Sequence, residues 1–277
     1  MRFLLATLAA LPFVSCAPAP PARSVRKPEI IEKTPVVATP TITPAAPSAP
    51  AGTPHFTTRK ISEITFEGVE FDSRNHRLVV ADQPDGPGSK FADATAAGNA
   101  RGGIAAVNAG FFTPEGAPLG LVVSAGKTTG AWNSASSLGS GIWFENPSGG
   151  TGITRRETLG RPAAARSREL IQAGPLLVEN GQAVSGLEAA KTSARIVILW
   201  DGGTRWWIGK GSPCSLADLG RALASGQPAG WKVRHALNLD GGRSADIWVS
   251  GSVSGGPFAN RPPWNRPVRN FLVLVQR

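Results

Sequence analysis

The sequence predicts an α+β fold: a single domain with a mixed, mostly antiparallel sheet, many hairpins and few helices. Three observations carry that expectation. Short alternating or apolar runs recur between turn segments rich in Gly, Pro and Asn along residues 55–277. Only one segment, Ser215–Ser225, combines helical spacing with both a start and a stop signal. The 33 glycines and 24 prolines describe a loop-rich chain, and what remains behind residue 54 has the length of one domain with its own core.

Residues 1–16 read as a lipoprotein-type signal peptide. Arg2 precedes the apolar run Phe3–Val14, which is too short for a stable membrane span. Phe13-Val14-Ser15-Cys16 resembles a bacterial lipobox, in which Cys16 becomes the acylated first residue of the mature protein. The expectation is a protein of the bacterial cell envelope, held to the membrane by a lipid anchor and facing the periplasm or the surface. Without acylation of Cys16 it would be secreted. Residues 17–54 hold ten prolines among Ala, Thr and Val, with no aromatic residue and no periodicity. They read as a Pro/Ala-rich disordered linker. Cys214 is then left without a disulfide partner and reads as a small buried thiol beside a helix start.

The formal charge is +10. Five basic and two acidic residues lie in the first 54 positions, so the remainder carries +7 and should favour anionic partners. Nucleic acid is not expected among them: the basic residues are scattered, and no recognition helix, zinc finger or RNA-binding signature is present. There is no G-x-S-x-G elbow and no Walker loop. With only His55, His76 and His235, a histidine zinc cluster is not expected either.

Taken in order, Lys60–Asp72 alternates, Ser73–His76 supplies turn residues and Arg77–Ala81 is a second strand, which predicts a hairpin. Lys90–Ala100 is Ala-rich and predicts a helix, weakened by Gly98. Gly103–Gly110 is a short buried strand with Asn108 at its polar end, and Leu119–Val123 is the next. Hairpins are predicted for Gly141–Glu145 with Thr151–Arg155 and for Glu169–Gln172 with Leu176–Glu179. The clearest joins Arg195–Trp200 to Thr204–Gly209 through Asp201-Gly202-Gly203. In the helix, Ser215 and Asp218 form a partial capping box, Leu216, Leu219 and Leu223 share a face, and Gly226 follows the end. Asn270–Gln276 is apolar enough to be a central strand.

Between the helix and that last strand lies Val233–Gly251. Strand parity puts Ala236, Asn238 and Asp240 on one face and His235, Leu237 and Leu239 on the other. The strand therefore ends in an amide and a carboxylate beside Gly241-Gly242, where a ligand can approach the backbone. The plainer reading is an Asp-Gly-Gly hairpin turn. Two further segments, N-A-G-F-F-T-P-E-G-A-P-L-G-L-V-V (Asn108–Val123) and A-G-P-L-L-V-E-N-G (Ala173–Gly181), precede A-L-N-L-D-G-G-R-S (Ala236–Ser244). S-A-R-I-V-I-L-W-D-G and a helix beginning S-L-A-D-L stand between the last two. In this order the motifs resemble the phosphodiester glycosidase domain family, over roughly Ile104–Val275, within a domain spanning residues 55–277. The family commonly has N-G-G-x-F where this chain has Asn108-Ala109-Gly110-Phe111-Phe112, and a third glycine where it has Arg243.

The resemblance implies an exported hydrolase that cleaves the sugar–phosphate bond of a glycosyl-1-phosphodiester in an envelope or extracellular glycan. Its partner would be that phosphorylated glycan. An oxocarbenium-like transition state calls for a carboxylate, for which Asp240 is the first candidate and Glu115 the second. The phosphate calls for cationic or N–H donors. Arg195 or Arg243 would grip it, Asn108 and Asn238 would orient oxygens, and Ser244 with the Gly241 and Gly242 amides would complete the cradle. These side chains should then converge in one cleft. Each has a plainer reading: Asn108 as a strand cap, Arg195 as a surface strand residue, Glu115 as a loop acid. No cofactor is expected; a divalent metal on Asp240 and Asp246 is the alternative, resting on only two carboxylates. Trp132, Trp206, Trp207 and Trp264 are candidates to stack on sugars or to pack in the core. The competing function is a non-catalytic envelope lipoprotein that binds anionic cell-wall or capsular glycan.

Overall fold

The structure is a computed structural model that describes residues 52–277. The expectations for the signal peptide, for Cys16 and for nearly all of the linker fall outside the described residues. Within them, short antiparallel strands dominate, as the turn spacing predicts, but they form three sheets rather than one. The first has seven strands in the order His55–Ile61, Ile64–Asp72, Arg205–Cys214, Ser193–Trp200, His235–Leu239, Leu176–Glu179 and Gln182–Ala183. The second runs Phe258–Asn260, Ile247–Val249, Ala105–Asn108, Asn270–Gln276 and His76–Asp82. The third runs Lys127–Thr129, Val122–Ser124, Glu169–Ala173, Gly141–Glu145 and Thr151–Arg155. The pairings within these sheets are antiparallel, and His55 makes an isolated parallel bridge to Ser254.

Alternation explains the layering. Inward-facing residues of all three sheets, such as Phe71, Ile196, Val107, Leu272, Trp143 and Ile171, merge into one apolar core. The residues between them face the opposite way and need their own cover. On the seven-stranded sheet, Val197, Leu199 and Trp207 are covered by Leu219 and Leu223 of the helix Leu216–Ser225. The Ser215 hydroxyl caps that helix by accepting the Asp218 N–H, as the capping box predicts. On the second sheet, Phe271 and Val273 are covered by Ala94 and Ala97 of the short helix Ala94–Ala100. It begins at the Asp93 cap, three residues after the Lys90 start that composition suggests.

Two predicted hairpins are not hairpins. Ile64–Asp72 pairs with His55–Ile61 across a tight reversal at Ser62, whereas His76–Asp82 pairs with Asn270–Gln276 in the other sheet. The turn between them is held from within, where Asp72 accepts the Arg74 N–H and guanidinium, and from outside, where the Ser73 N–H donates to the Thr204 carbonyl. Likewise Glu169–Ala173 pairs with Gly141–Glu145, and Leu176–Glu179 pairs with His235–Leu239. In both places a turn carries the chain between sheets. The hairpins Gly141–Glu145 with Thr151–Arg155 and Ser193–Trp200 with Arg205–Cys214 form as expected, and Asn270–Gln276 is an interior strand.

Candidate active site

The seam between the seven-stranded sheet and the second sheet is where the polar strand ends meet. His235–Leu239 ends at Asp240, and the chain crosses as a loop to re-enter the second sheet at Ile247. The crossing starts with two obligatory glycines. A Cβ on Gly241 would lie 2.4 Å from the Ala194 carbonyl oxygen, and Gly242 has φ +60°. Gly242–Ser244 then forms one 3₁₀ turn.

Asn108, fully buried at the end of its strand, holds both ends of this loop. Its Nδ2 donates to the Asp240 carbonyl at 2.7 Å, and its Oδ1 accepts the Asp246 N–H at 2.8 Å. The Asp240 N–H in turn donates to the Ala109 carbonyl at 2.8 Å. Asn270 braces the next residue, its Oδ1 accepting the Gly110 N–H at 2.7 Å. The amide of Asn108 is therefore spent on backbone, which makes it the fastener of the site.

The Asp240 carboxylate is 6% exposed as a residue, and its Oδ2 makes no hydrogen bond within the described chain. Burial pushes its carboxyl up to about 6, while the Ser244 hydroxyl, Arg266 and the Gly241 amide pull the other way. Arg266 is the cation of this site, with Nη2 3.9 Å from Asp240 Oδ2. Its Nε donates to the Ser244 hydroxyl at 3.3 Å, its N–H donates to the Arg243 carbonyl, and its guanidinium lies 4.6 Å over the Phe112 ring. Asn238 donates to the Gly174 carbonyl at 2.9 Å, and its buried Oδ1 has no partner among the described residues. Asp246 is committed differently: Oδ2 accepts the Ala94 N–H at 2.9 Å and lies 3.3 Å from Arg261 Nε. Its carboxyl is also raised to about 6, first by burial. Among the described residues, no three His, Cys, Asp or Glu side chains group as metal ligands.

Of the sequence-predicted residues, Asn108, Asp240, Gly241, Gly242 and Ser244 are brought together, with Asn238 on the strand leading in. Arg195 is not aimed at Asp240. Its Nε and Nη2 donate to the carbonyls of Cys214 and Lys191, each at 3.0 Å. Arg243 is exposed and turns its guanidinium to the Trp264 carbonyl at 3.4 Å. Glu115 sits exposed at a loop tip, its carboxyl lowered first by the Thr113 hydroxyl. That loop reaches the site through Phe112 instead. Arg266 was not anticipated, because Arg261–Pro267 (R-P-P-W-N-R-P) has no periodicity to place it. The available signal was an arginine pair in a Pro-bounded loop directly before the closing strand. Cys214 is buried and free, as expected, and His235 stacks on Trp200 at 5.4 Å. Trp206 and Trp207 are core residues, while Trp264 is 67% exposed.

A family model described as phosphodiester glycosidase matches residues 101–275, which include every residue of this seam. Two solved structures are similar in fold. The catalytic domain of zebrafish N-acetylglucosamine-1-phosphodiester alpha-N-acetylglucosaminidase, auto-inhibited by its pro-peptide, aligns at TM-score 0.58 and 17% identity, covering 83% of this chain and 85% of that one. A hypothetical protein from Synechocystis aligns at TM-score 0.52 and 18% identity, covering 80% of this chain and 61% of that one. A search of curated protein sequences returns no match.

Proposed function

Since the chain belongs to the phosphodiester glycosidase family, we propose that the seam at Asp240 hydrolyses the bond between a sugar's anomeric carbon and a phosphodiester. Family membership supports a hydrolase of phosphodiester sugar bonds. The observation that carries the assignment to this seam is the buried Asp240 Oδ2, unpaired within the described chain and 3.9 Å from a half-exposed guanidinium. In the reaction, water adds to the anomeric carbon and gives up a proton, the bond from that carbon to the phosphate oxygen breaks, and the phosphomonoester leaves with the electron pair and takes up a proton. Positive charge develops at the sugar carbon, where a carboxylate lowers the barrier. Negative charge on the phosphate is met by Arg266, with Arg243 on the adjoining turn and the Gly241 and Gly242 amides as further donors. A phosphate leaves readily, so no strong general acid is required. A carboxyl titrating near 6 is ionised at neutral pH and can serve in this way.

The finer reading is an envelope enzyme acting on an extracellular glycan, exported by the signal peptide of residues 1–16 and anchored through Cys16, with no metal needed. It rests on the leader pattern and on the net positive charge. Radiolabelled palmitate incorporation that persists in Cys16→Ser would sink the anchor. For the chemistry, a panel of sugar-1-phosphodiesters is offered to the wild type and to Asp240→Asn in the presence of EDTA. Turnover by the wild type and a loss of about 10²–10⁴-fold in kcat are expected. Equal rates in the two proteins would remove Asp240 from the reaction. Binding across the panel with no turnover would favour the anionic-glycan-binding reading.

A further inference from the structure

Beside the Asp240 seam lies a groove of about 560 Å³, most of whose lining the proposed reaction does not use. Gly242, Arg243 and Trp264 line its wall, with Glu67, Lys210 and Asn260 also lining it. Three features set it apart from an ordinary surface depression. First, its polar lining is prearranged: Lys210 Nζ donates to Asn260 Oδ1 at 2.8 Å, and Asn260 Nδ2 donates to Glu67 Oε2 at 3.0 Å. The lysine is 6% exposed as a residue, so the ammonium is fixed rather than solvated. Second, the hydroxyls of Thr65, Thr192, Ser193 and Ser212 add groups that both donate and accept. Third, Trp264 is the exposed large hydrophobic side chain among the described residues, and it lies in this wall.

A lining of mixed charge, amide and hydroxyl next to one bare indole matches a ligand with many hydroxyls and an apolar ring face. A bare anion would not need Glu67 or the indole, and a lipid chain would not need the polar network. We infer that this groove binds a run of sugar residues, with Trp264 as the stacking platform and the Lys210–Asn260–Glu67 chain reading hydroxyls. Its position says which part of a substrate it takes. Arg266 lies against Asp240, its N–H is bonded to the Arg243 carbonyl, and Arg243 in turn lines the groove. Sugar residues here would extend from the phosphate side of the scissile bond, so the protein would act on a chain rather than on a small diester. Only that orientation rests on the proposed reaction; the carbohydrate site stands without it.

The experiment is a calorimetric titration of the full chain with cellotetraose, maltotetraose and tri-N-acetylchitotriose, none of which carries phosphate. At least one should bind, Trp264→Ala should weaken it 10-fold or more, and Trp264→Phe should restore part of the loss. Asn260→Ala should weaken it as well, with circular dichroism confirming that the variants fold. No binding of any of the three, binding indifferent to Trp264→Ala, or full displacement by inorganic phosphate would each overturn the inference. Binding that survives in a protein unable to turn over any phosphodiester would sink the reaction and leave the groove standing.

Discussion

Asp82 and Asp240 are equally hidden, 7% and 6% exposed, and each faces an arginine, yet the protein treats them in opposite ways. Arg269 meets Asp82 with Nε at 3.0 Å and Nη2 at 3.3 Å, and Thr129 donates to it at 2.9 Å. Arg269 is itself buried, and its third nitrogen, Nη1, donates to the Gly116 carbonyl. Each of the three guanidinium nitrogens donates a hydrogen bond there. Arg266 instead stands 3.9 Å from Asp240 with its side chain 46% exposed, and Oδ2 is left without a hydrogen bond. Burial alone therefore does not mark a site. A buried charge with incomplete compensation beside a half-exposed cation does.

The comparison can be broken by substitution. Asp82→Asn leaves Arg269 buried without its counter-charge and should cost about 3–5 kcal/mol in urea unfolding; a loss below about 1 kcal/mol would mean the pair is no anchor. Asp240→Asn should act in the other direction. The folded carboxyl titrates near 6 against a usual 3.8, so the folded state holds its proton more tightly. That stability is fully present below pH 4 and is lost as pH rises through 6. At pH 7.5 the variant should be up to about 3 kcal/mol more stable than the wild type, with the gap closing toward pH 4. A gap independent of pH would refute the assignment. Arg266→Ala removes a charged donor and should lower kcat/KM for a phosphodiester roughly 10- to 100-fold, mostly through KM, with little change in unfolding. Arg195→Ala, which frees two carbonyls near the surface, should change kcat/KM by less than about 3-fold and stability by about 1 kcal/mol. A larger loss of activity there would return Arg195 to the site.

These outcomes bear on what a sequence can disclose. Local order was legible: the Ser215 cap, the Asp201-Gly202-Gly203 hairpin and the strand that ends at Asp240 all follow from spacing and turn chemistry. Partner choice was not. Ser73–Asn75 and Gly174-Pro175 carry good turn residues, but the strands beyond them complete other sheets, a decision made by long-range packing. The site divides in the same manner. Asp240, Gly241, Gly242 and Ser244 lie within five residues and could be read together, whereas Arg266 comes from a loop 26 positions on and is placed by the Phe112 ring and the Arg243 carbonyl. Arg195 shows the reverse, a basic residue beside the right strand whose guanidinium is claimed by carbonyls on another face.

Asn108 grips the loop only through its main chain, at the carbonyl of one aspartate and the N–H of the other. Such a rivet is indifferent to which side chains the arch displays. At position 240 the side chain is therefore not what fastens the two sheets, whereas at 246 the carboxylate also holds the Ala94 N–H. Asn108 thus sets the shape of the arch through the main chain alone, and the Asp240 carboxylate is left unspent by the fastening.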